Sequence, residues 1–133
     1  MTYEIINPEA LGMPKGWSNG MLAPAGGRIL FVAGQTASDA SGKVQPADFV
    51  TQFDRALQNV MAVVTEAGGR AEDIGRFTIF VTDRAAYLGS LKSLGEAYRK
   101  HMGRHFPAMA LLEVTALVDG DAMVEIEATA VLP

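Results

Sequence analysis

Val124-Glu125-Ile126-Glu127-Ala128-Thr129-Ala130-Val131-Leu132 decides the fold. Its even positions are all apolar, and successive side chains of a strand point to opposite faces, so one complete face of this segment must be covered. Its odd positions carry Glu125, Glu127 and Thr129 before Val131. Two other segments are apolar on both alternating faces, Arg28-Ile-Leu-Phe-Val-Ala-Gly-Gln35 and Arg76-Phe-Thr-Ile-Phe-Val-Thr82, as expected of central strands rather than half-wet edges. Ala108 to Val118 adds a further strand segment, read with Met109, Leu111 and Leu117 on one face beside Glu113 and Thr115.

Helices lie between these strands. From Asp48 to Ala67 the apolar positions Phe49, Phe53, Leu57, Val60 and Val64 recur at three- and four-residue steps, the period of one helical face. Gly68-Gly69 stops that helix, since glycine takes the left-handed C-terminal conformation without steric cost. A second helix is predicted from Tyr87/Leu88 through Leu91, Leu94 and Tyr98 to Met102, with Asp83 capping its start and Gly103 its end. Tyr3 to Ile6 reads as a short strand. Gly26-Gly27 predicts a hairpin joining Met21–Ala25 to Arg28–Gln35, and Asp119-Gly120-Asp121 one joining Ala108–Val118 to Ala122–Leu132.

The order is that of an α+β domain spanning residues 1–133, with about six strands and two long helices. Two helices cover one sheet face only. The second face, with Met109, Leu111 and Leu117 as well as Ile29 and Phe31 on it, is too apolar to leave wet, and it predicts association of identical subunits through their sheets.

Composition narrows the function. The 133 residues carry 20% charged and 49% apolar side chains, an ordinary globular mix, and the net charge of -4 offers no basic stripe for a nucleic-acid backbone. The absence of cysteine removes disulfides, thiolate nucleophiles and thiolate metal sites. The amino-terminal segment has neither the basic start nor the apolar core of a signal peptide, and no apolar run reaches membrane-spanning length, so a cytoplasmic protein without membrane attachment is expected.

His101 and His105 have metal-ligand spacing, but the predicted helix ends between them at Gly103, and two solvated helix-end histidines are favoured over a metal site. No GxSxG elbow, SxxK pair or phosphate-binding loop occurs. Glu125 and Glu127 are the better candidates, because a carboxyl among apolar neighbours favours its protonated form and can act as a general acid or base. On the residues alone, pairing of such a glutamate with Lys or Arg is favoured over catalysis.

Several segments together resemble the RidA/YjgF family, whose best-known members hydrolyse reactive enamines and imines derived from amino acids. Gly16-Trp17-Ser18-Asn19-Gly20 lies where the family has a G-P-Y-S-Q-like loop, and Phe31-Val-Ala-Gly-Gln35 is similar to its strand ending in S-G-Q. Phe80-Val-Thr-Asp83 resembles its F-V-x-D strand end, Phe106-Pro-Ala108 its F-P-A-R, and Val124-Glu-Ile-Glu-Ala128 its V-E-I-E-A. Gln58-Asn-Val60, Ala67-Gly-Gly69 and Asp73-Ile74 match its first helix and the turn after it.

The resemblance implies a chorismate-mutase-like fold, a six-stranded mixed sheet with two long helices on one face, assembled as a homotrimer with pockets between subunits. It implies no cofactor and no metal. It assigns water activation to Glu125 and substrate contacts to Trp17, Ser18, Gly34, Phe80, Ala85, Met109 and Leu111. The family's carboxylate-binding arginine is replaced by Met109, its asparagine after F-V-x-D by Ala85, and its loop tyrosine by Trp17. A thioether cannot hold a carboxylate as a guanidinium fork does. The expected substrate is therefore a small, less acidic imine, enamine or related carbonyl compound. A non-catalytic ligand-binding protein of the same fold is the alternative, and ribonuclease activity, ascribed to some relatives, is disfavoured by the acidic chain.

Overall fold

The structure, a computed structural model, describes residues 2–133. The strands are β1 (Glu4–Ile6), β2 (Gly20–Leu22), β3 (Arg28–Gln35), β4 (Ile74–Val81), β5 (Ala108–Glu113) and β6 (Val124–Leu132). The helices are α1 (Phe49–Glu66), α2 (Arg84–Leu88) and α3 (Leu91–Met102), with short 3-10 turns at Glu9–Leu11 and Ala71–Asp73. The chain is α+β, as expected.

The six strands do not share one sheet. β1 and β2 form a two-stranded antiparallel ribbon, and the other four form a mixed sheet in the order β3-β6-β4-β5. Neither predicted hairpin pairs. Gly26 does take a positive φ of 84°, but β2 turns back to β1 while β3 crosses to β6. The turn at 119–122 forms, closed by the Ala122 amide on the Asp119 carbonyl, yet β5 runs parallel to β4 and β6 inserts between β3 and β4. The reason lies in β6: apolar on every even position, it buries best at the centre of the sheet, where both of its edges are hydrogen-bonded.

α1 starts where Asp48 accepts the Thr51 amide at 2.8 Å and ends before Gly68, at φ 87°. The second predicted helix is broken. Asp83 caps α2 through the Ala86 amide, but the chain turns at Gly89–Ser90 before α3 begins, so one long helix becomes a short and a longer one. Gly103, at φ 59°, terminates α3 as predicted.

Cross-strand neighbours project to the same face. Phe77, Ile79, Val124, Ile126, Ala130 and Leu132 are buried beneath α1 and α3, with Phe53, Leu57 and Val60 of α1 opposite them. Met109 pairs with Phe77 and Leu111 with Ile79, so both face the helices. Their assignment to the open face is thus corrected, and the parallel β4–β5 register is the reason. Leu117 belongs to neither face; it packs in a small cluster with Ala37, Val44 and Ala122. The open face does carry Ile29 and Phe31, 62% and 79% exposed, with Leu112 at 41%. No helix among the described residues is long and apolar enough to cross a membrane.

The histidines are not solvated helix ends. The His101 ring donates to the Asp54 carboxylate, which also accepts Lys100 at 2.6 Å, joining α3 to α1. Burial would raise the Asp54 pKa, but hydrogen bonds from Lys100 and His101 and their charges outweigh it, and the carboxyl titrates below the ordinary range. His105 donates to the Ile74 carbonyl at 2.7 Å.

Gln52 is the polar pin of the core. It is buried on α1, donates to the Ala47 and Asp121 carbonyls, and accepts the Met123 amide at 2.8 Å, fixing the entry to β6. Gln52→Ala strands those backbone groups, and unfolding titrations at fixed protein concentration should show a loss of about 2–3 kcal/mol.

Candidate functional site

α3 packs on α1 and stands off β5, leaving a cavity of about 540 Å³ above the sheet edge. Its floor is Ile79, Met109 and Leu111; its walls are Phe53, Leu91, Leu94 and Tyr98; and the loop Lys15-Gly16-Trp17 closes one side. The volume falls in the range that encloses a small molecule. The lining is largely apolar, and its charged members are Lys15 and Arg99, both cationic.

The wall is rigid. Tyr98 stacks on Phe106 with centroids 5.4 Å apart and rings 4° from parallel, and its hydroxyl donates to the His105 carbonyl at 2.6 Å. Burial pushes the Tyr98 phenol up, so it stays neutral and is committed to that carbonyl rather than to proton transfer. Trp17 is 43% exposed at the rim and donates to the Asn19 side chain at 3.3 Å.

Ser18, expected to contact substrate, is buried. Its hydroxyl donates to the Phe106 carbonyl at 2.7 Å and its amide to the Pro107 carbonyl, so it clamps the Trp17 loop to the start of β5. Its proton is already donated within the chain, and it lines a smaller hollow with Trp17, Asn19 and Met109 rather than the large cavity. Ala85 lies exposed in the first turn of α2 and is not among the cavity-lining residues.

The remaining expected residues lie on the other face. Glu125 stands opposite Phe80 in the β4–β6 register. Beside it the β3–β6 register slips between Val32 and Gln35, and there Gly34 meets the Glu125 carboxylate so closely that a Cβ on Gly34 would lie 2.5 Å from its oxygen. Glycine is required for this approach. Glu125 makes no ion pair within the chain among the described residues. Gly34, Phe80 and Glu125 thus form one cluster, while Trp17, Met109 and Leu111 form another across the sheet.

Sequence reasoning missed Lys15, Phe53, Tyr98 and Arg99 as cavity residues. The helical period of Leu91, Leu94 and Tyr98 reported a buried face, and nothing in that period distinguishes a face against a void from one against a floor.

Comparison with known proteins identifies the family and agrees with the fold. The family model described as Endoribonuclease L-PSP matches residues 9–132. A RutC family protein of Pyrococcus abyssi is 31% identical over 105 residues, covering 78% of this chain and 79% of its own. The 2-iminobutanoate/2-iminopropanoate deaminase of Escherichia coli K12 is 33% identical over 108 residues, covering 79% and 80%. Among solved structures, a protein of unknown function of the conserved Rid family from Yersinia pestis superposes with TM-score 0.84 at 29% identity, covering 99% of this chain and all of that one. The YjgF product of E. coli gives TM-score 0.65 at 32% identity, covering 94% and 92%. With matching sequence along nearly its whole length and the same fold, the chain belongs to the RidA/YjgF family.

Proposed function

We propose that the protein is a hydrolase of imines or enamines with an altered substrate range, working as a homotrimer with Glu125 as general base. The observation that carries this reading is the Glu125 carboxylate, seated on Gly34 and free of any ion pair among the described residues, in a family with a member named as an imine deaminase. Glu125 takes a proton from water as its oxygen attacks the imine carbon. The resulting carbinolamine is protonated on nitrogen and expels ammonia, leaving the carbonyl product; an enamine first takes a proton on carbon to become the imine. Glu125 and the Met109 cavity lie on opposite sheet faces, so a site that uses both draws Glu125 from a neighbouring copy.

Ammonia release from imines generated in solution tests the reaction. Turnover of uncharged or bulky imines above the uncatalysed rate is expected; none on any imine would overturn the hydrolase reading in favour of a ligand-binding protein. Met109→Arg places a guanidinium in a cavity with room for it and should raise turnover of small carboxylated imines by about 10- to 100-fold, the worth of a charge-assisted pair. Gly34→Ala should push the carboxylate aside and lower the rate at least about tenfold while leaving thermal stability nearly intact, because the displaced atoms end a flexible side chain.

A further inference from the structure

Position 109 no longer offers a cation, but the cavity is not without one. Arg99 sits one turn after Gly95 on α3, and its guanidinium folds back over that glycine: a Cβ on Gly95 would meet Nη1 at 3.2 Å. Glycine inside a helix costs about 1 kcal/mol relative to alanine, and here its missing side chain leaves room for the guanidinium to lie close over the helix. Lys15 lines the same cavity from the loop before Trp17, and no carboxylate is among the lining residues. Neither cation makes an ion pair among the described residues, whereas the neighbouring Lys100 and His101 are both taken up by Asp54.

We infer that the cavity takes an apolar anion, a ring or branched hydrocarbon body carrying a carboxylate, with the body over Met109 and Leu111 and the carboxylate held at the rim by Arg99 and Lys15. This deepens the proposed function by naming its substrate class, and it revises the expectation of a less acidic substrate: the anion anchor has moved from the strand to the helix. A carboxylate at the rim is farther from the floor than one held at position 109, so the space between them must be filled by hydrocarbon. Small carboxylated imines are expected to bind more weakly than bulky ones.

Trp17 is the only tryptophan and lines the cavity, so its fluorescence reports occupancy without turnover. Phenylacetate, its uncharged isostere phenylacetamide and acetate are titrated into the intact protein. Phenylacetate should bind at least about tenfold more tightly than phenylacetamide, the scale of one charge-assisted interaction, and acetate should give no response below about a hundred times that concentration. Arg99→Met should abolish the preference and Lys15→Met reduce it. Gly95→Ala should also reduce it while raising the melting temperature, since alanine favours the helix, so its effect cannot come from unfolding. Equal binding of the acid and the amide, a preference that survives Arg99→Met, or no response to any probe overturns the inference. Turnover without charge preference sinks the inference alone, and charge preference without turnover of any imine sinks only the hydrolase reading.

Discussion

Glu125→Gln is expected to lower imine hydrolysis by about 10²- to 10⁴-fold, the usual contribution of a positioned general base, while leaving the melting temperature within a degree or two. The substitution keeps the shape and the seat on Gly34 but replaces an acceptor that can take a proton with an amide that cannot. Because Glu125 supports no ion pair among the described residues, removing its charge breaks no structural link. Phenylacetate binding read through Trp17 should be unchanged, since Arg99 and Lys15 hold the anion. A rate near wild type would remove Glu125 from the chemistry. Glu127, the next position on the same face, is the control: Glu127→Gln should cost little, because Glu127 lies opposite Thr78 and lacks the glycine seat.

What the sequence made legible follows from how local each signal is. The helix at 49–66 and its Gly68 stop were readable because period and terminator lie within one segment, while its Asp48 cap was not singled out. The strands were readable for the same reason, although the segment predicted to run to Val118 leaves the sheet after Glu113. Their pairing was not: Asp119-Gly120-Asp121 makes its turn, but whether β6 then joins β5 or enters between β3 and β4 depends on which neighbours bury Val124 and Ile126, a tertiary matter. That one unreadable fact moved Met109 and Leu111 to the opposite face and divided the expected site residues into two clusters. Glu125 and Met109 could be named as candidates from the sequence, but their separation by the sheet is a property of register alone. Arg99 left no periodic trace, and its use of the space above Gly95 is visible only once α3 is seen to stand off β5.

For the proposed homotrimer, Phe31→Asp is expected to reduce the solution mass from three times the 14.1 kDa chain to that of one chain and, in the same preparation, to abolish turnover. Phe31 is 79% exposed and lies near Ile29 on the sheet face that no helix covers. Burying a phenylalanine contributes about 1.5–3 kcal/mol, repeated at each of three contacts, whereas an unpaired carboxylate there costs several kcal/mol. Aspartate is preferred to glutamate because Arg76 lines the same shallow hollow, and a longer side chain could reach it. The isolated chain should still fold, since Phe31 is not part of the core beneath α1 and α3. Loss of mass with loss of activity supports a site completed by a neighbour, for Glu125 and the Met109 cavity cannot meet through the sheet of one chain. A monomer that retains full turnover would place the whole reaction on one face and exclude either Glu125 or the cavity from it. Binding of phenylacetate separates these outcomes: the cavity, Arg99 and Lys15 belong to a single chain, so the Phe31→Asp monomer should keep the charge preference even as it loses the base.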